Sequence, residues 1–145
     1  MIVIGLSSKG KKKVIGKRKK EREHAKSFRE LEIYKLAREL SREIYEVSKS
    51  FPKEEMYSLI NQIRRSSRSV GAQIAEAWTK RRYEKHFISK LTDADGKQQE
   101  TQYWIETAMD CVYLSTVQGK DLLKRYTSVG RMLNSMINKV YQFCS

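Results

Sequence analysis

From Ile33 to Phe51 apolar side chains recur in alternating steps of four and three, at Ile33, Ala37, Leu40, Ile44, Val47 and Phe51. The same rhythm returns three more times. A second stripe runs Met56, Leu59, Ile60, Ile63, Val70, Ile74 and Ala77, and a third Tyr83, Phe87, Leu91, Ala94, Ile105, Ala108 and Val112. The fourth runs Leu122, Tyr126, Val129, Leu133, Ile137 and Val140. Such steps trace one face of an α-helix, so each stretch predicts an amphipathic helix with a single stripe to bury. Pro52 ends the first, because proline biases its predecessor away from helical backbone. In "KSFPKEE" Glu54 and Glu55 then fall in the first turn of the second helix, where the dipole favours anions. Gly119 reads as the break before the fourth.

Four helices of roughly 20 to 30 residues with short connections bury their stripes best as an antiparallel up-down-up-down four-helix bundle. The fold expected is therefore all-α, with the bundle over residues 28–145. One proline and seven glycines among 145 residues suit long helices and not a sandwich of short strands.

Two sets of residues interrupt the stripes. Ser67 lies near the middle of the second helix, and Gln98 and Thr101 near the middle of the third, all on core-facing lines. Antiparallel neighbours bring these midpoints together as a hydrogen-bonded polar layer that fixes register, with a ligand site as the alternative. Trp104 and Cys111, bordered by Ala108 and Ser115, form a second apolar strip off the third helix's core line. Such a strip predicts a homo-oligomer interface at Trp104, Ala108 and Cys111; the alternative is a tryptophan buried in its own subunit.

The net charge of +13 is concentrated in two places. Residues 1–26 carry +8 and residues 56–85 carry +5, while the rest of the chain balances. The first is a basic arm, residues 1–27, with Lys11, Lys12, Lys13, Lys17, Arg18, Lys19 and Lys20. Few large apolar residues and no periodicity predict disorder there, and clustered lysines of this kind are the footprint of polyanion binding. An anionic membrane surface or simple solubilisation are the other uses of such a tail. The second group is Arg64, Arg65, Arg68, Lys80, Arg81, Arg82 and Lys85. At 100° per residue Arg64 and Arg68 project together from one edge of the second stripe, joined by Arg82 if the helix runs that far, while Arg65 points away.

Residue types that carry chemistry are scarce. His24 and His86 have no cysteine or carboxylate at metal spacing, and Cys111 and Cys144 form no redox or zinc motif. "TDADGKQQE" lacks the fifth and twelfth ligands of a calcium loop and lies inside a helical stripe. There is no Gly-rich phosphate loop. Glu76 and Glu100 fit an acid pair or ordinary salt bridges to Arg65 or Lys97 equally well. No enzyme activity, metal or cofactor is expected. The opening "MIVIGL" is too short for a signal-peptide core, and no apolar run approaches the roughly 20 residues of a membrane span. A cytoplasmic protein with no membrane partner is expected.

"FPKEEMYSLINQIRRSSRSVGAQIAEAW", Phe51 to Trp78, resembles the signature of the small bundle proteins encoded within intervening sequences of bacterial 23S ribosomal RNA genes. "ELEIYKLARELSREIYEVSKSFP" and "LTDADGKQQETQYWIETAMDCVYL" are similar to that family's first and third helices. The resemblance spans Phe28 to Tyr141. Gln73 and Ala77 stand where the family usually has Asn and Gly, which lets the second helix run on. The resemblance implies a homopentameric ring. It also implies kinship with the accessory variability proteins of diversity-generating retroelements, basic pentamers that associate with a reverse transcriptase and nucleic acid. Together these readings predict an oligomeric, nucleic-acid-binding bundle, with RNA favoured over DNA. The alternative is a protein-interaction adaptor, such as an accessory subunit of a reverse transcriptase.

Overall fold

The computed structural model describes residues 25–144. Four helices, α1 (Glu32–Ser48), α2 (Asn61–Thr79), α3 (Glu84–Asp110) and α4 (Thr116–Asn138), pack each on the next, and α4 returns to α1. This is the expected all-α bundle. The arm, with Lys11 through Lys20, lies outside the described residues.

The stripes become the core as their spacing requires. Ile33, Ala37, Leu40 and Ile44 of α1 meet Ile63, Val70 and Ile74 of α2, Phe87, Leu91 and Ile105 of α3, and Leu122, Tyr126 and Leu133 of α4 in one buried cluster. A single 3₁₀ turn, Phe28–Glu30, precedes α1 and is held by a capping box in which Ser27 and Glu30 satisfy each other's backbone. The chain then reaches α2 through a 3₁₀ turn (Lys53–Glu55) and a π turn (Met56–Ile60). The wider turn changes the angular phase, so Leu59 and Ile60 stay buried while Met56, expected in the stripe, is exposed. Glu55 of this linker accepts a 3.0 Å hydrogen bond from the Tyr113 hydroxyl, tying the α1–α2 connection to the α3–α4 connection.

Three other expectations are corrected. Val112 is not in the third stripe: α3 stops at Asp110 and Val112 takes a left-handed φ of 62°. Gly119 is not a break. It lies buried inside α4, which begins at Thr116 behind a Ser115–Gln118 capping box; a Cβ at Gly119 would lie 2.3 Å from the Met109 sulfur. α2 ends at Thr79, so Gln73 and Ala77 do not extend it to Arg82.

The polar layer forms with a one-residue difference. Ser66, not Ser67, meets α3, its hydroxyl 2.9 Å from that of Thr101, while Ser67 donates to the carbonyl of Arg64. Gln98 donates to Asp95 and accepts from Gln102 on its own helix. Gly130 of α4 leaves the room: a Cβ there would sit 2.8 Å from the Gln98 amide nitrogen.

Candidate nucleic-acid interface

α1 and α2 lie side by side, and their shared outer edge collects cations. Along α1 and its C-cap, Arg38, Arg42, Tyr45 and Lys49 follow steps of four, three and four, one face of the helix over about 17 Å. Tyr45 is the hub. The guanidinium of Arg64 lies 4.7 Å from its ring centroid, that of Arg68 5.5 Å and the Lys49 ammonium 4.8 Å. Arg64 is further fixed by an Nε–H bond of 2.8 Å to the Ser48 hydroxyl. A ring face attracts cations without neutralising them, so it gathers positive charge that would otherwise repel.

Lys49 also holds Glu46 at 2.9 Å. Arg38, Arg42, Arg64 and Arg68 make no ion pair among the described residues; of the α1 carboxylates, Glu32 pairs with Lys35, Glu46 with Lys49 and Glu43 with Arg125 of α4, while Glu39 makes no ion pair either. The result is a stripe of uncompensated guanidinium groups. Arg64 and Arg68 were legible in the sequence. Arg38, Arg42, Lys49 and Tyr45 were missed, although their helical spacing was there to find.

The second basic group sits at one end of the bundle. Lys80, Arg81 and Arg82 occupy the turn from α2 to α3, where Lys80 and Tyr83 each close a backbone hydrogen bond of 2.9 Å, and Lys85 follows in the first turn of α3. Lys80, Arg82 and Lys85 are exposed. Arg81 is pinned: its guanidinium stacks 3.6 Å above the Trp78 ring and its Nε–H donates to the Trp78 carbonyl at 2.8 Å. Partial burial pulls its pKa below the ordinary arginine value. Since α1 starts where the antiparallel α2 ends, the described chain also begins at this end. Arg65 is exposed on the other side of α2 and belongs to neither group.

The expected oligomer strip is only partly on the surface. Ala108 is wholly buried in the subunit's own core, so it lines no outer face. Trp104 is half-buried, its indole N–H donating to Glu100 at 3.0 Å, with the exposed Tyr103 ring edge-on at 5.0 Å. That bond, and then Lys97, hold the Glu100 carboxyl below its ordinary value against desolvation. Cys111 is exposed beyond the end of α3. Glu76 pairs with Lys90 and Glu100 with Lys97, so each acid has its own lysine partner. Asp95 bonds Gln98 and Gln99 within α3, as a helical side chain and not a calcium-loop ligand. Among the described residues no cluster of three or more metal-ligating side chains occurs, and no helix is long and apolar enough to cross a membrane.

A family model described as 23S rRNA-intervening sequence protein matches residues 29–135. Among solved structures, the chain is similar to a protein with unknown function from the S23 ribosomal protein family of Bacteroides thetaiotaomicron VPI-5482. The two are 28% identical, the match covers 73% of this chain and 95% of that one, and the TM-score is 0.66. No curated protein matches the chain.

Proposed function

The chain belongs to the 23S rRNA-intervening sequence protein family, and from that premise we propose that it is a non-enzymatic, oligomeric bundle that binds nucleic acid, RNA in the first instance, through phosphate contacts. The observation that carries this reading is the α1–α2 stripe, where Arg64 and Arg68 gather on Tyr45 and, like Arg38 and Arg42, make no ion pair among the described residues. Nucleic-acid backbones take up such charge by releasing condensed counterions, and phosphate contact of this kind positions a strand without reading its sequence. Tyr45 is already covered by cations and Trp78 by Arg81, so neither offers bases an open stacking platform.

Assembly strengthens the reading. The aromatic pair Tyr103 and Trp104 on the outer face of α3 supports a contact between copies, and the family resemblance suggests five. Repeating one weak stripe around a ring raises affinity through effective concentration. The arm, with seven basic residues between Lys11 and Lys20, supplies further positive charge.

The test is RNA affinity of the full chain carrying Arg64→Glu with Arg68→Glu, with circular dichroism to verify the fold. Affinity falls at least 10-fold if the stripe is the site. Unchanged affinity in a folded variant would move the function to the arm, or to a protein partner of an adaptor.

A further inference from the structure

The basic end of the bundle also holds a cavity, of about 490 Å³, lined by Trp78, Thr79, Arg81, Arg82, Phe143 and Cys144. Its floor is aromatic: Trp78 is only 7% exposed and Phe143 stacks on the buried Phe87 with centroids 6.0 Å apart. Among the described residues that line it there are two arginines and no carboxylate, with Glu84 near enough to act on the Cys144 thiol.

We propose that this end cavity is a receptor for the terminal phosphate monoester of a nucleic-acid strand, with Arg81 and Arg82 as its ligands. The inference rests on the polyanion-binding reading above and names which part of the strand the end cluster takes. Arg81 is the anchor because it is preorganised. Indole stacking and the Nε–H bond to the Trp78 carbonyl hold the guanidinium plane, and its two terminal amino groups carry no hydrogen bond among the described residues. A planar fork already fixed in place loses little freedom on forming paired bonds to phosphate oxygens, and the partly desolvated setting strengthens them. Arg82, exposed beside it, supplies a second cation.

A monoester suits this site better than an internal phosphate. It presents three acceptor oxygens and close to two negative charges at neutral pH, where an internal diester presents one charge and drags chain on both sides. The volume fits one nucleotide-sized group. The position fits as well: Lys80 lies twelve residues along the α2–turn direction from Arg68, about 18 Å, within the reach of roughly five stacked nucleotides. A strand lying on the α1–α2 stripe can therefore place its end here.

The experiment compares the full chain's affinity for one short single-stranded RNA prepared with a 5′-phosphate, with a 3′-phosphate, and with hydroxyls at both ends. One phosphorylated form is expected to bind about 10-fold tighter than the hydroxyl form, and which one identifies the strand end. That gain is expected to shrink in Arg82→Gln, which removes the second cation, and to shrink further in Arg81→Lys, which keeps the charge and loses the anchoring fork. Each variant's gain is measured against its own affinity for the hydroxyl form, so a general loss of positive charge does not imitate the effect. Equal affinity for all three strands overturns the receptor and leaves the polyanion reading standing. A gain that persists in both variants places the end elsewhere and also overturns it. Failure to bind any of the strands overturns both readings.

Discussion

Val112→Gly should stabilise the protein, and the structure gives the size of the effect. α3 ends in a Schellman turn: the Tyr113 N–H reaches the Ala108 carbonyl at 2.8 Å and the Val112 N–H reaches the Met109 carbonyl at 3.0 Å. This places Val112 at the left-handed position that glycine usually fills, with φ 62°. A side chain with a Cβ there costs roughly 1–2 kcal/mol, and β-branching puts valine toward the upper end. At 85% exposure the valine side chain recovers little by burial. Glycine's greater freedom in the unfolded chain offsets roughly 0.5–1 kcal/mol. A net gain of about 1 kcal/mol remains, which for a chain of this length is a rise in Tm of about 3 °C. Urea unfolding followed by circular dichroism should show a higher midpoint with an unchanged slope. Val112→Ala, which keeps a Cβ in the same backbone region, should recover less than half of the gain. A glycine variant less stable than the parent would refute the strain and mean that the valine side chain holds something in place.

Three further perturbations read other parts of the fold. Thr101→Val removes the donor to the Ser66 hydroxyl, which keeps only its 3.4 Å bond to the Ile63 carbonyl, and should cost about 1 kcal/mol, whereas adding Ser66→Ala should recover part of that loss; strictly additive effects in the cycle would deny the bond. The Tyr126 hydroxyl is buried without a hydrogen-bond partner among the described residues, so Tyr126→Phe should be neutral or stabilise by up to about 1 kcal/mol; a loss above about 2 kcal/mol would reveal a partner. Glu100 is held below its ordinary value of 4.5 by the Trp104 indole and then Lys97, so its bond stabilises the fold above that pH and is lost as pH falls through the lower folded value. Stability measured from pH 6 downward to roughly pH 3 should therefore fall less steeply in Glu100→Gln than in the parent; parallel curves would remove Glu100 from the account.

The bundle was legible because each stripe is set by spacing alone. What escaped was set by neighbours. Gly119 looked like a helix break, yet its missing Cβ makes room for Met109, and the true start of α4 was written in Ser115 and Gln118. Val112 keeps the third stripe's period, and nothing in its residue type announces a left-handed turn. Ser66 and Ser67 are both buried, and only the packing of α2 on α3 decides which one meets Thr101. The cation stripe divides in the same way. Arg64 and Arg68 sit on one helix at a spacing that can be read, but Arg38 and Arg42 join them only once α1 lies alongside, since their own helix is a mixture of charges. Arg81 looked like one more exposed cation until the turn folded it onto Trp78.

The central claim is that uncompensated arginines on the α1–α2 stripe meet phosphates. The slope of log affinity for single-stranded RNA against log salt concentration tests it, measured for the full chain and for a folded variant with Arg38, Arg42, Arg64 and Arg68 each changed to Gln. Each lost phosphate contact lowers the slope by about 0.7, so four contacts predict a slope shallower by about 3 together with weaker binding. Identical slopes and affinities in the two proteins would contradict it.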